Sequence, residues 1–416
     1  MPSRPATSTL RDTRTAAHEL AERLERSVGP HAPAALLLVA SFHHRAALPE
    51  AFDLLRATLR PEAAVAITAV GVIGEGRLYE GVPAMAALLL DEPGLEASAV
   101  RIAPDDGPPA TWDERRRAFL LSGGLQRGEE PPSEVLTLLW ADPFSSDPPG
   151  LAAIGGTGLV HGGVLSGSSQ AGGNLLITAR RHERAEVSAE GAAGLALRNA
   201  RAAPISAPGA RPVGPSVIVT ASDGTRLLGL GGRPAIEVLR EVLEASGDLE
   251  SLEGDAPMGG LAIGIAIDEH RPDGREPTCR LRPLTGFVRP SGASNRDSPP
   301  ALRLAEPIRP GRTVRFFMRD PEWAAETFRT RLLERGMDLQ TAPAAVSAVS
   351  TARAFESSAA TIDDRDEASR PRPLEFGGPC GVGIRTAGEF VQLGGRAEID
   401  TLAASVLCFE GPPSLA

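Results

Sequence analysis

The chain has 416 residues, which is enough for two or three domains at roughly 100–200 residues each. Hydrophobic residues make up 42% of it and charged residues 23%, a composition typical of folded proteins and not of disordered ones. The net charge of -10 has the wrong sign for binding phosphate backbones, so we expect no nucleic-acid partner.

The N-terminal residues contain no apolar segment of the kind that follows the basic residues of a signal peptide. No apolar run approaches the ~18 residues that a membrane span needs. The three cysteines share no CxxC spacing, which fits a reducing compartment and gives no metal cluster. We therefore expect a cytoplasmic protein with no membrane partner.

Helix and strand patterns alternate in the first part of the chain. Apolar residues at steps of three and four predict an amphipathic helix over residues 13–28. The short apolar runs 34–40 and 63–70 predict two buried strands with one helix between them. The apolar face of that helix carries Leu48, Phe52, Leu55 and Leu59. A strand, a helix and a strand in succession are typical of an α/β layer.

The middle of the chain adds further strands. Residues 97–104 and 134–142 predict two strands on either side of a helical stretch, residues 110–123. A glycine-rich zone over 154–178 precedes strand-like segments, and a helix with Pro234 near its first position spans 233–245.

The second half repeats these patterns. Residues 259–268, 313–320 and 344–351 predict strands, and 321–336 predict a helix. Residues 356–373 are polar, charged and end in prolines, as loops and disordered insertions do.

Two distant segments share one pattern of residues. Residues 66–90 and 383–408 each contain Gly-Glu, then a glycine-bearing turn, then an apolar strand. Repetition of one supersecondary unit explains this economically. We therefore predict an α/β protein with mixed sheets and an internal duplication, built as two related α/β lobes.

The sequence also resembles a known family. "SFHHRAALPEAFDLLRATLRPEAAVAITAVGVIGEGRLYEG", "LVHGGVLSGSSQAGGNLLIT" and "RPVGPSVIVTASDGTRLLGLGGRPAIEVL" resemble the N-terminal part of the FIST domain. "LRPLTGFVRPSGA", "EPIRPGRTVRFFMRDPEWA" and "RTAGEFVQLGGRAEIDTLAASVLCF" resemble its C-terminal part. On this basis the predicted divisions are an N-terminal helix and tail over 1–32, a FIST N-terminal-like domain over 33–232 and a reduced C-terminal-like domain over 233–410.

The resemblance implies a bacterial sensory protein that binds a small molecule, such as an amino acid. It implies signalling through a separate partner such as a histidine kinase, a cyclase or a chemoreceptor. Some relatives are similar to haem proteins that report nitric oxide, so a haem-binding gas sensor is the alternative. A third hypothesis is a protein-interaction scaffold or a hydrolase that uses Ser or Glu. We expect no enzyme, because no GxSxG or SxxK motif accompanies Ser166.

The C-terminal part departs from the family pattern. Thr351 stands where the family usually has a cysteine, and only Arg353 of that motif is kept. The charged segment 356–373 replaces an expected helix, so we expect the pocket of this part to be altered or lost.

Several residues are candidates for the ligand site. His43 and His44 follow a predicted strand at its carboxyl end, where α/β sheets place ligand-binding loops. These two histidines and His161 are also the candidate haem ligands, against local packing as the commoner role of each. Gly71 and Gly74 belong to a glycine-rich turn that could bind a phosphate, but the turn does not fit a nucleotide motif.

Charged residues supply the remaining candidates. Glu75 and Glu389 would form a pair of carboxylates if the two repeated segments faced each other. Arg211 and Arg233 flank predicted strands and could bind a ligand carboxylate with two hydrogen bonds, although a structural ion pair is the more frequent role. The three tryptophans, among them Trp323, are expected to pack in the core.

Overall fold

The computed structural model describes residues 4–29, 31–104, 135–147, 150–152, 159–248, 260–269, 278–288, 300–340, 342, 344–351, 372–373, 381–393 and 396–410. Its helices are α1 (Thr13–Glu25), α2 (Leu48–Leu59), α3 (Ala235–Ser246) and α4 (Pro321–Glu334), with a 3-10 helix over Phe42–Ala47. The strands before residue 210 are β1 (Arg4–Ser8), β2 (Ala35–Ser41), β3 (Ala63–Ala69), β4 (Gly71–Gly74), β5 (Arg77–Glu80), β6 (Met85–Leu90), β7 (Glu96–Ile102), β8 (Leu136–Ala141), β9 (Leu159–Leu165), β10 (Leu176–Arg180), β11 (Glu186–Ser188), β12 (Ala192–Arg198) and β13 (Ala202–Pro208). The later strands are β14 (Ala210–Asp223), β15 (Arg226–Leu230), β16 (Arg233–Pro234), β17 (Leu261–Ala266), β18 (Cys279–Val288), β19 (Ala301–Leu304), β20 (Thr313–Arg319), β21 (Ala344–Ser350), β22 (Arg372–Pro373), β23 (Gly381–Leu393), β24 (Arg396–Asp400) and β25 (Ala403–Phe409).

The first sheet carries two helices on its outer face. Its strand order is β1-β6-β2-β3-β10-β11, with β2 and β3 parallel. Helices α1 and α2 place Leu20, Leu24, Phe52 and Leu55 against one face of these strands. Because the other face is buried as well, β6 is apolar throughout and β2 is apolar up to Ser41, and neither strand alternates.

The second sheet packs face to face against the first. Its main strand order is β13-β25-β21-β23-β9-β8-β12-β7. One core contains Leu37 and Val65 of the first sheet together with Val346, Ile384 and Leu407 of the second. Helix α4 covers the outer face of the second sheet. The layers are therefore helix, sheet, sheet and helix, which confirms the predicted α/β class with mixed sheets.

The two similar segments occupy matching places in the two sheets. In the first sheet, β1-β6-β2-β3-β10 has one parallel pair, β2 with β3, and antiparallel neighbours on both sides. In the second, β13-β25-β21-β23-β9 has the same order of orientations, with β21 and β23 parallel. The hairpins β4–β5 and β23–β24 follow at equivalent points. Descent of the two segments by duplication stays a prediction.

A barrel lies between the two halves of the sandwich in the sequence. Strands β14, β20, β17, β18, β19 and β15 are antiparallel neighbours in that order, and β14 also pairs with β15, which closes the ring. Helix α3 packs on this barrel through Leu239 and Leu243. The predicted division at residue 232 falls between β15 and β16, which are hydrogen-bonded to each other.

The ends of the chain belong to the sandwich. Strand β1 is an edge strand of the first sheet and α1 packs on its outer face. The chain returns after the barrel through α4 to β21, β23 and β25. The predicted helix over 110–123 and the charged segment 356–371 lie outside the described residues. None of the helices in the described ranges is long and apolar enough to cross a membrane.

Candidate functional site

The first glycine-rich motif forms a tight hairpin. Glu75 and Gly76 connect β4 to β5 and have positive φ angles of 50° and 79°. Two consecutive positive φ angles define the turn that matches the twist of a two-residue hairpin. Glu75 forms an ion pair with Arg23 at 2.6 Å, and its N–H donates to the Gly381 carbonyl. The motif thus joins two strands and does not precede a helix, unlike a phosphate loop.

Gly71 and Gly74 are explained by close packing. A Cβ on Gly71 would lie 2.5 Å from Cγ of Arg385, whose buried side chain passes over this strand. A Cβ on Gly74 would lie 2.2 Å from Oγ1 of Thr7. Real Cβ atoms do not approach other atoms so closely, so both positions favour glycine for space.

The carboxyl ends of strands from both sheets meet at one edge, as the sequence predicts for β2. Residues 166–175, which follow β9, bridge the sheets there. Arg45 donates to the carbonyls of Gly173 and Gly172 at 2.6 and 2.8 Å. The Asn174 amide donates to the Asp142 carboxylate at 2.9 Å, and both side chains are fully buried. These contacts fix the shape of the carboxyl edge.

The two adjacent histidines at this edge have different environments. His43 is exposed, with Nδ1 3.4 Å from Oγ of Ser41. His44 is fully buried, with Nδ1 3.0 Å from Oγ1 of Thr13 at the start of α1. Burial and the neighbouring His43 lower the pKa of His44, against a smaller opposing effect of Asp12. His44 is therefore a neutral packing residue beneath α1.

His161 lies inside the protein. Its Nε2 donates to the Val346 carbonyl at 2.8 Å, and burial lowers its pKa to about 4. The nitrogen that most often binds iron is thus occupied, and the ring is 1% exposed. The junction cavity and the groove along α3, both described below, have no histidine among their described wall residues. His161 therefore does not fit a haem ligand, and neither His43 nor His44 lines either of these cavities.

The two predicted carboxylates are not neighbours. Glu75 lies beside Gly381, at the start of β23, whereas Glu389 lies in the second half of that strand. Glu389 is fully buried and accepts a hydrogen bond from Thr386 at 2.5 Å. Arg353 lies outside the described residues.

Both predicted arginines form ion pairs. Arg211 on β14 contacts Asp248 at 2.7 Å and Asp320 at 3.1 Å, and so links the barrel to the ends of α3 and α4. Arg233 pairs with Glu241 on the surface, beside an apolar groove of about 500 Å³ along α3. Both arrangements are the structural ion pairs that are more common than ligand contacts.

The barrel joins the sandwich through a buried aspartate. Asp400, at the end of β24, accepts the N–H of Leu281 on β18 at 3.0 Å and that of Leu402 at 2.8 Å. Burial raises the pKa of Asp400, against opposing effects of these N–H groups and of Arg282. The Arg282 side chain donates to the Ile399 carbonyl at 2.8 Å. These contacts hold β18 against β24.

A cavity of about 300 Å³ lies beside this contact. We call it the junction cavity; its walls come from both folded parts and from helix α4. The barrel contributes residues of β14, β18 and β20, and the sandwich contributes residues of β13, β23, β24 and β25. Ligand pockets occur preferentially at such boundaries, and ~300 Å³ is at the lower end of their usual size. The junction cavity is therefore the candidate ligand site.

The walls of the junction cavity combine apolar and cationic groups. Phe317 and Trp323 supply aromatic surface, and Arg315 and Arg331 supply guanidinium groups. Arg331 donates to the Ser206 carbonyl, and Arg315 donates to the Gly214 carbonyl at 2.7 Å. A few polar groups in an apolar wall are the usual composition of a small-molecule site.

None of the predicted site residues that the structure describes lines this cavity. Trp323, predicted to be a core residue, is half-buried and lines the cavity, and its backbone N–H donates to the carboxylate of the helix-capping Asp320. The arginine at 331 stands on the helix face that meets β13, and nothing in the helical pattern distinguishes it from the other arginines of α4. The cavity forms only when strands far apart in the sequence come together.

Comparisons with known proteins agree with the N-terminal resemblance. The family model described as FIST N domain matches residues 34–233. An uncharacterized protein of Mycobacterium bovis is 29% identical over 414 residues, covering 96% of each chain. An uncharacterized protein of Mycobacterium tuberculosis is 27% identical over 349 residues, covering 81% of each chain. The C-terminal resemblance stays a prediction. Residues 34–233 match the FIST N domain, and this match supports the FIST family for that part of the chain.

Proposed function

We propose that the protein is a sensor that binds a small molecule in the junction cavity and passes its occupancy to a separate signalling protein. The FIST domain is associated with sensing in signal transduction. The observation that carries the proposal is a cavity whose walls come from the barrel, from the sandwich and from helix α4. A molecule bound there contacts the barrel, the sandwich and α4 together.

This position gives binding a structural consequence. A ligand shifts a conformational equilibrium only by the difference in its affinity for the two states. In the junction cavity, that difference arises from the wall residues that separate when the barrel moves away from β24 and β25. The bound state therefore favours the closed arrangement of barrel and sandwich, and the partner senses that arrangement. A histidine kinase, a cyclase or a chemoreceptor is the proposed class of partner.

A thermal-shift screen tests the proposal. The library contains amino acids and small carboxylates, and each compound is measured with the wild-type protein and with Ser216→Trp. Ser216 is an exposed residue at the cavity wall, so a tryptophan there should block the cavity without disturbing a core. A ligand present at about 100 times its Kd stabilises the folded state by about 2.7 kcal/mol.

The matched control is Ala221→Trp, an exposed position on the same strand β14 and outside the cavity. The proposal predicts at least one compound that raises the melting temperature of the wild type and of Ala221→Trp but not of Ser216→Trp. Equal shifts in all three proteins would place the ligand elsewhere. A Soret band in protein from haem-supplemented cells would instead support the gas-sensor alternative.

A further inference from the structure

The charges around the junction cavity are unequal. Arg315 and Arg331 line it from β20 and α4, whereas Asp400 is the carboxylate among its described wall residues. Both oxygens of Asp400 already accept backbone N–H groups, from Leu281 and Leu402. Asp400 therefore holds the junction together and has little capacity left for a ligand ammonium group. The other charged side chains in the described wall, those of Arg315 and Arg331, are cationic.

Arg331 is the cation that gains most from an anion. Its one described hydrogen bond goes to the carbonyl of Ser206, and no described carboxylate forms an ion pair with it. Burial lowers the pKa of Arg331, against a smaller opposing effect of Glu334. An arginine stays protonated in a protein, so this burial costs free energy in the empty cavity. A carboxylate beside the guanidinium would offset that cost.

The rest of the wall suits a flat apolar group. Trp323 stands a little over two turns before Arg331 on α4, so the two backbone positions are about 12 Å apart along the helix axis and about 80° apart around it, and both residues line the cavity. Phe317 lines the cavity from β20. A Cβ on Gly264 would lie 2.3 Å from the Phe317 ring, so glycine on the neighbouring strand makes room for that ring. Aromatic side chains favour stacked or edge-on contacts with a ring.

We infer that the ligand of the junction cavity is a small monocarboxylate with a flat apolar body. Its carboxylate lies against Arg331 and its body lies against Trp323. The inference rests on the proposed function, because it names the class of ligand for the same cavity. It also separates this class from the free amino acids, whose ammonium group would be left without a partner beside two arginines.

Cys279 provides a direct reporter of occupancy. It lies in the wall of the cavity and is partly exposed. Cys408 is buried, and burial raises its pKa to about 12, so it stays a thiol and is unreactive in the folded protein. With Cys380 replaced by serine, the reaction of the folded protein with a disulfide reagent therefore measures access to Cys279.

The probes are 3-phenylpropionate and its neutral amide, 3-phenylpropionamide, which have the same shape and differ in charge. We expect the acid to slow modification of Cys279 in a saturable way and the amide to have little effect. Arg331→Gln should raise the Kd for the acid by about tenfold to a hundredfold, the usual effect of losing a charge-assisted hydrogen bond. Arg331→Lys, which keeps the charge, should bind the acid more tightly than Arg331→Gln.

The matched control is Arg329→Gln, an exposed position on the same helix that makes the same change of net charge. It should leave the Kd unchanged. Equal protection by the acid and the amide, or an unchanged Kd in Arg331→Gln, would overturn the inference while small-molecule binding in the cavity stands. The proposed function has its own test. It is wrong if no compound in the thermal-shift screen raises the melting temperature of the wild type without also raising that of Ser216→Trp.

Discussion

Replacement of Asp400 by alanine tests how the barrel is held against the sandwich. The change removes the acceptor of two backbone N–H groups, those of Leu281 and Leu402, and leaves both in a buried region. Each hydrogen bond to a charged group contributes about 1.5–3 kcal/mol, so the loss of two gives about 3–6 kcal/mol. Burial disfavours the charged form of Asp400. Removing that buried charge at neutral pH therefore offsets part of the lost hydrogen-bond free energy. We expect a net loss of about 3 kcal/mol.

The pH dependence of this loss has a definite sign. The pKa of Asp400 is raised above the value of 3.8 that it has in the unfolded chain. Between these two values the folded state holds more protons than the unfolded state, so the contribution of Asp400 to stability falls as pH rises. The difference in unfolding free energy between wild type and Asp400→Ala should therefore be larger near pH 4 than at pH 7.

The assay is urea unfolding followed by tryptophan fluorescence, because Trp323 lies beside the junction. Asp53→Ala is the control, since Asp53 is exposed and forms only a surface ion pair with Arg56. Such pairs contribute about 0–1 kcal/mol. If Asp400→Ala unfolds within about 0.5 kcal/mol of the wild type at both pH values, the account of the junction is wrong.

Three further predictions concern residues that the sequence brought to attention. Burial lowers the pKa of His161 to about 4 in the folded protein, against 6.5 in the unfolded chain, so its contribution to stability rises with pH between these two values. His161→Gln should remove that rise when melting temperatures are measured over a series of pH values. Gly74→Ala should destabilise the protein by about 1–3 kcal/mol, because its Cβ would meet Oγ1 of Thr7, and the added change Thr7→Ala should restore part of the loss in denaturant unfolding. A disulfide reagent at pH 8 should modify Cys279 in the folded protein but modify Cys408 only after denaturation, as measured by mass spectrometry; modification of both in the folded state would refute the assigned burial.

The elements that sequence reasoning placed well are those whose pattern follows from local geometry. The predicted helix over 13–28 is α1, and it begins where the Asp12 side chain accepts the N–H of Thr15 at 2.8 Å. The uninterrupted apolar runs of β2 and β3 indicated burial on both faces, which the two layers around the first sheet explain. Local pattern and tertiary packing agree at these positions.

Such local patterns did not predict which distant strands pair with each other. The sequence showed that residues 66–90 and 383–408 share a pattern of Gly-Glu, a glycine-bearing turn and an apolar strand. It could not show that β4 pairs directly with β23. It also could not show that β14 closes a barrel with β15 and β20. These contacts depend on chain reversals far apart in sequence, which periodicity does not encode.

The candidate site was missed for a related physical reason. Sequence reasoning favoured histidines and glycine-rich turns, because these residue types often bind ligands. In the structure Gly71 and Gly74 allow close packing, and His44 and His161 are buried. The junction cavity instead uses ordinary arginine and tryptophan residues of α4, whose importance arises from the surface that they meet.

Hydrogen–deuterium exchange with and without a ligand from the thermal-shift screen tests the central claim most directly. Because the junction cavity has walls from both folded parts, a bound ligand should slow exchange in β13 and β25 of the sandwich and in β18 of the barrel. Exchange in residues 166–175 at the carboxyl edge should stay the same. Protection confined to residues 166–175 and the neighbouring His43, with exchange in the junction strands unchanged, would contradict the account. The ligand site would then lie at the carboxyl edge near His43, as the sequence predicted.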